Sequence, residues 1–181
     1  MRRFVVTTGL PCSGKTTLAR RLGPALGLPV IDKDEFLERL FEPQQVGDAA
    51  IRRKLSRQSD ELFQSAAKES NGAILVSHWR LRGMSEDSGT PTEWLAWLSN
   101  RIVNVRCVCP AELAAERFLR RKRHPGHLDQ SISPDLVLAS IQANARLEPV
   151  EIGRAIEVDT SGELEIEKLV AEIEAAFLLA A

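Results

Sequence analysis

The run Gly9-Leu10-Pro11-Cys12-Ser13-Gly14-Lys15-Thr16 spaces two glycines, a lysine and a threonine as GxxxxGK[ST]. Glycines at that spacing let successive backbone N–H groups turn toward one anion. A helix opening at Lys15 aims the positive end of its dipole at the same point, and the lysine amine reaches the outer phosphates of a nucleoside triphosphate. Thr16 is placed to hold Mg²⁺ through its hydroxyl. The residues assigned to the nucleotide are therefore Gly9, Pro11, Cys12, Ser13, Gly14, Lys15, Thr16 and Thr17. The motif needs a strand before it and a helix after it; the apolar run Phe4-Val5-Val6 and the helical pattern that follows supply both.

A second cluster, Asp32-Lys33-Asp34, ends the next apolar run. In an extended segment its two carboxylates lie on nearly the same side. One can order the water shell of a metal, and the other can accept a proton from an attacking hydroxyl. The competing reading makes Asp34 the cap of a helix from Glu35 to Phe41, and capping does not exclude catalysis. Absences sharpen the chemistry. The third apolar run, Ala73 to His78, carries no Asp or Glu at its end, the fourth carries none either, and no Asn-Lys-x-Asp string reads guanine. A motor ATPase or GTPase switch is thereby disfavoured, and a small kinase that takes its metal-side acid from the second strand is favoured.

The third cluster is basic: Arg117, Arg120, Arg121, Lys122 and Arg123. Guanidinium groups neutralise the charge that spreads over a moving phosphoryl group. Helical neighbours diverge by about 100°, so these residues cannot all face one ligand; Arg117, Arg120 and Arg121 share a face, as do Arg120 and Arg123. Arg117 is expected beside adenine or an ATP phosphate, and Arg121 or Arg123 on the transferred phosphoryl, against the alternative of a solvated basic helix end. His124, His127 and Asp129 lack a clear fourth ligand and are read as hydrogen-bonding and loop-shaping residues rather than a metal site. On the acceptor side stand the helix with Arg52, Arg53 and Arg57, the strand exit His78-Trp79-Arg80, and the loop around Asp87. Arg57 and Arg80 suit a carboxylate or phosphate of the acceptor or serve as surface ion-pair partners. Trp79 offers a stacking wall or is packed.

Positioning these clusters requires alternating elements. Strand-like runs fall at Arg3 to Thr8, Leu28 to Asp32, Ala73 to His78, Ile102 to Cys109 and Ala155 to Asp159, with helical periodicity between them. This pattern predicts an α/β fold with a mainly parallel sheet. Thr90-Pro91-Thr92-Glu93 and Ser133-Pro134-Asp135 read as helix starts. A last helix from about Glu163 places Leu169, Ile173 and Phe177 on one stripe. The segments Arg80 to Thr90 and His124 to Ser133 read as long loops, which in a small domain act as lids or substrate walls. Ligands of such sheets collect outside the carboxyl ends of the strands.

The 181 residues, 44% of them apolar, are expected to form one domain, monomeric or weakly dimeric. Lys and Arg total 24 against 25 Asp and Glu, a balance without a general pull toward nucleic acid or an anionic membrane. Three cysteines, Cys12, Cys107 and Cys109, are too few for a disulfide framework. With no membrane-length apolar run and no secretory pattern after Met1-Arg2-Arg3, a cytoplasmic protein is expected. Cys107 and Cys109 are read as small buried apolar residues.

The run from Val5 to Leu40, with GLPCSGKTTLARRL followed by LGLPVIDKDEF, resembles the N-terminal third of the shikimate kinase and gluconate kinase group of P-loop phosphotransferases. It is also similar to zeta toxins, chloramphenicol phosphotransferase and polynucleotide kinases. The resemblance implies a three-layer sandwich around a five-stranded parallel sheet in the order 2-3-1-4-5, ATP and Mg²⁺, and a mobile helical lid carrying arginines, here about residues 117–133. It implies Asp34 facing the acceptor hydroxyl and Asp32 as the metal-side acid. The run from Arg117 to His127 resembles the lid of such kinases, and Val158-Asp159-Thr160 their last strand and the turn that meets adenine. Shikimate kinases resemble one another in a glycine triplet after strand three, where this chain has Ser77-His78-Trp79-Arg80, which argues against shikimate itself. The expectation is an ATP-dependent kinase moving the γ-phosphate to a hydroxyl of a small molecule. Lys15, Arg117, Arg121 and Arg123 would stabilise charge, Asp34 would position or deprotonate the acceptor, and Thr16 with Asp32 would organise Mg²⁺. Arg57, His78, Trp79 and Arg80 would line the acceptor site. The alternatives are a polynucleotide 5′-hydroxyl kinase and a nucleotide-binding regulator.

Overall fold

Phe4, Val5 and Val6 are completely buried, and in a strand they must point alternately to opposite faces. A computed structural model, which describes residues 2–43, 46 and 48–179, shows what covers each face. Strand β1 (Arg3–Gly9) lies at the centre of a sheet, between β3 (Gly72–Val76) and β4 (Ile102–Val108). Beyond β3 lies β2 (Val30–Asp32) and beyond β4 lies β5 (Arg154–Asp159), so the order is β2-β3-β1-β4-β5 with every pair parallel. This is the order implied by the resemblance. Strands covered on both sides read as continuous apolar runs, which is why β1 and β3 show no alternation.

Helices α1 (Lys15–Leu26) and α6 (Ile166–Leu179) cover one face, packing Leu18, Leu22, Ile173 and Phe177 against Val5, Ile74, Val103 and Val105. The expected stripe Leu169, Ile173 and Phe177 is buried there. Against the other face, α3 (Ala49–Glu69) sets Phe63 and Ala67 on Phe4, Val6, Leu75 and Trp79. Phe63 is fully enclosed, so truncation to alanine costs about 3–5 kcal/mol. Helix α2 (Lys33–Phe41) rests on α3 through Leu37, Phe41 and Leu55. Helices α4 (Ala111–Arg120) and α5 (Pro134–Ala145) share a cluster of Ala114, Ala115, Val137 and Ile141. Among the described residues no helix is long and apolar enough to cross a membrane.

Several boundaries differ from the sequence reading. The second strand begins at Val30, not Leu28, because Pro29 has no N–H to give; only its carbonyl joins β3, accepting from Ile74 at 2.8 Å. The third strand stops at Val76, and Trp79 leaves it to bridge Thr90. The Thr90-Pro91-Thr92-Glu93 signal opens only a 3₁₀ turn, Glu93–Trp97, in which Thr92 makes no side-chain cap; Thr90 is fully buried and its hydroxyl bonds Asp60 instead. Ser133 does cap α5, accepting from Leu136 N. The last helix begins at Ile166, three residues after the expected start. The basic run is not one helix: α4 ends at Arg120, and Arg121 is already extended, so the proposed shared face of Arg117, Arg120 and Arg121 is lost.

Candidate active site

The turn after β1 is held by its neighbours. Gly9 has φ +129°, and a Cβ there would stand 2.3 Å from the Cys107 carbonyl of β4, so no larger residue fits. Cys12 takes φ 59°, a left-handed conformation costly for a residue with a side chain. Gly14 is the N-cap of α1. Lys15 is buried, and its amine donates to Gly9 O at 3.0 Å and Leu10 O at 2.6 Å. Burial lowers its pKa, with the nearby cysteines and aspartates opposing the shift. Ser13 Oγ is buried with no partner. A loop of inward backbone, a lysine bonded only to loop carbonyls and an orphaned hydroxyl together fit a phosphate ligand. Thr17 is exposed and Pro11 half-buried at the rim.

Behind the loop, Thr160 is buried and donates from Oγ1 to Ser13 O at 2.6 Å, while its N–H bonds Val108 O at 2.8 Å. Arg117 Nη2 donates to Thr160 O at 2.8 Å, which puts this arginine beside the β5 exit. Asp159 is exposed and caps the next turn, accepting from Ser161 N at 2.8 Å.

The two carboxylates of the β2–α2 corner divide their roles. Asp32, not Asp34, caps α2: its Oδ1 accepts from Asp34 N at 3.0 Å and its Oδ2 from Thr16 Oγ1 at 3.0 Å. The reason is that α2 begins at Lys33, two residues before the expected start. Burial, then the charge of Asp34, pushes the Asp32 carboxyl up to about 6, against the hydrogen bonds from Asp34 N and Thr16. Thr16 and Asp32 face one point with one hydroxyl and one carboxylate. That donor set suits Mg²⁺, which takes few protein ligands and completes its shell with water and phosphate. Asp34 is the opposite case. Half of its side chain is exposed, yet crowding by the surrounding atoms pushes its pKa up; Arg123, His127, Lys33 and Arg121 outweigh that and hold it below the ordinary carboxylate range.

The connection from α4 to α5 closes over α2. Arg123 pairs with Asp34 and lies 3.3 Å from Asp129 Oδ2, and Arg121 pairs with Asp129 at 2.8 Å while lying 4.1 Å from the Phe118 ring centroid. Gly126 fits directly on Phe41: a Cβ would stand 2.6 Å from the ring. His124 stacks on the same ring at 5.3 Å, and His127 meets it edge-on at 5.2 Å. His127 is buried, with Nε2 at 3.0 Å from Glu38 Oε1 and Nδ1 unpartnered. Burial, then Arg123, lowers its pKa, so the ring is neutral at neutral pH and donates from Nε2. The histidines thus shape the connection.

Of the residues expected to line an acceptor site, only some come together. His78 is exposed by area but sits in a concave corner; desolvation there, then Lys15 and Lys33, takes its imidazole down to about 4. Trp79 is not a wall. It is 3% exposed, packs on Phe63 and Trp94, and donates from Nε1 to Thr7 O at 2.8 Å. Arg57 pairs with Asp87 on the surface, and Arg80 is bonded to the carbonyls of Ser88 and Glu86, so both guanidinium groups are engaged by the 86–88 loop. Arg52 turns instead to the α4–α5 connection, donating from Nε to His127 O at 3.0 Å; burial, then Arg123, lowers its pKa. Sequence reasoning noticed Arg52 only as part of its helix, and it missed Glu38, Phe41, Asp60 and Thr90. Asp48 caps α3, its side chain accepting from Ala50 N and Ile51 N. Cys107 and Cys109 are buried, and Cys107 is pushed up to about 12 by burial.

The chain belongs to the AAA domain family, which matches residues 4–147. The shikimate kinase of Mycobacterium ulcerans (strain Agy99) is 38% identical over 73 residues, which span 40% of this chain and only 36% of that relative. A crystal structure from Chloroflexus aurantiacus J-10-fl superposes with a TM-score of 0.75 at 22% identity, covering 99% of this chain and 98% of the other. The shikimate kinase of Bacteroides thetaiotaomicron does so with a TM-score of 0.56 at 18% identity, covering 99% of each chain. The resemblance to P-loop small-molecule kinases of the shikimate and gluconate kinase group is borne out, and the structural likenesses establish the fold.

Proposed function

We propose that this protein is an ATP-dependent kinase that moves the γ-phosphate to a hydroxyl of a small molecule. The observation that carries the reading is an ionised carboxylate, Asp34, held at the β2–α2 corner under Arg123 and within the field of the phosphate-loop lysine. Gly9, Pro11, Cys12, Ser13, Gly14, Lys15, Thr16 and Thr17 would hold the nucleotide phosphates, Arg117, Asp159 and Thr160 would border the base, and Thr16 with Asp32 would hold Mg²⁺. Bound MgATP supplies the phosphoryl group and draws charge from its leaving oxygen. Asp34 orients the acceptor hydroxyl and takes its proton. Lys15, Arg121 and Arg123 present charge to the transferred group, which requires Arg123 to exchange its pairing with Asp34 for one with phosphate. The 117–133 segment would act as the lid. That the metal-side acid comes from β2, with none at the end of β3, supports a kinase over a motor ATPase within the AAA domain family. The near-neutral charge balance and three free thiols support a small acceptor in a reducing, cytoplasmic setting.

A thermal-shift panel of sugars, aminocyclitols, antibiotics, nucleosides and shikimate with ADP identifies acceptors, and ADP release then measures turnover. Asp34→Asn is expected to lower acceptor-dependent turnover by about 10²–10⁴-fold with ADP binding intact, whereas Lys15→Ala weakens nucleotide binding itself. Unchanged turnover in Asp34→Asn would overturn the assignment.

A further inference from the structure

Four segments meet beside the β2–α2 corner, where the kinase reading puts the acceptor: the start of α2, the middle of α3, the exit of β3 and the return of the 80–90 loop. One buried chain of side chains joins them. Lys33 Nζ lies 3.0 Å from Asp60 Oδ1 and donates to Ser56 Oγ at 2.9 Å. Asp60 Oδ1 also accepts from Thr90 Oγ1 at 2.7 Å, and Thr90 Oγ1 lies 2.6 Å from Ser77 Oγ. Lys33, Asp60, Thr90 and Ser77 are 8%, 9%, 0% and 4% exposed. Site residues stand at both ends of this chain. Asp34 follows Lys33, and His78 follows Ser77, with its carbonyl accepting from Thr90 N at 2.7 Å.

Stability does not account for the pair. Taking two charges out of water offsets most of their attraction, and an apolar pair of similar volume is commonly neutral or more stable. Lys33 is also the first residue of α2, where the helix dipole disfavours a cation. What the pair does fix is geometry: its rigid tie sets the first turn of α2 against the β3 exit. Resting on the kinase reading above, we infer that Lys33 and Asp60 are positioning residues that set the direction in which Asp34 meets the acceptor hydroxyl and lock that corner to the wall carrying His78.

The test compares Asp60→Asn and the apolar double variant Lys33→Met/Asp60→Leu with Asn104→Ala. The last breaks a buried tie from Thr8 Oγ1 (2.7 Å) and to Val150 O (2.9 Å) on β4, outside the proposed site. Asp60→Asn and the double variant are expected to keep KM for ATP and lose kcat on the order of 10²-fold, the double variant melting like the wild type; Asn104→Ala melts lower with kcat unchanged. Wild-type kcat in the double variant, or in Asp60→Asn should the double variant fail to fold, overturns the inference. So does an equal loss in Asn104→Ala. Hydrogen exchange gives a reading that needs no acceptor: in Asp60→Asn the β2–α2 corner and the β3 exit should lose protection together while the phosphate loop does not. Loosening of only one overturns the inference; joint loosening in a protein that phosphorylates no alcohol leaves the tie standing and removes the kinase reading.

Discussion

Asp32 and Asp34 stand two positions apart and meet opposite electrostatic fates, one raised to about 6 and the other held low. The difference comes from partners: Asp32 is enclosed beside a like charge, while Asp34 faces Arg123. The spacing of the two acids was legible in the sequence, but which one capped the helix was not, since that depends on a two-residue shift in where α2 begins. His78 permits a test at the same scale. An unfolded imidazole titrates near 6.5 and this one near 4, so between those values the unfolded chain binds the extra proton. Acidification through that window therefore favours unfolding through His78. Ring resonances followed by NMR should titrate with a midpoint near 4, and His78→Gln should flatten the fall of melting temperature over the same interval. A midpoint near 6.5 would show that the corner does not crowd the ring.

At the scale of elements, the α4–α5 connection was readable as a loop rich in arginine and histidine, but its seat was not. Periodicity kept Arg121 on the helix of Arg117, whereas the helix stops at Arg120 and frees the next residues to cross to α2. Nor does any local pattern link Gly126 to Phe41, 85 positions earlier in the sequence. Yet that contact leaves no room for a methyl group. Gly126→Ala is expected to cost about 1–3 kcal/mol through overpacking and to speed proteolysis of the connection, with Phe41→Leu restoring both. Unaltered proteolysis in Gly126→Ala would mean that the ring yields freely.

Across the whole molecule, sheet order and class were accessible from alternation and the N-terminal motif, because strands buried on two faces announce themselves as apolar runs. The surroundings of Arg57 and Arg80 were less accessible: both have chemistry suited to an anion, but the 86–88 loop engages both. Only folding reveals such competition. Nucleotide binding should stabilise the molecule globally, since the loop is continuous with the core through β1 and α1. ADP at a hundredfold its Kd is expected to add about 2.7 kcal/mol, a rise of roughly 5–10 °C in melting temperature for a chain of this size. A shift absent in wild type would count against a competent phosphate loop, and one retained in Lys15→Ala against the assigned lysine.

The bond from Thr160 to the carbonyl of Ser13 spans 147 positions, and its donor lies beyond the stretch matched by the family. During synthesis, the motif therefore emerges from the ribosome long before the hydroxyl that braces it. A nascent chain therefore bears the recognisable signature before it can close the brace, which waits for the residue that follows the fifth strand.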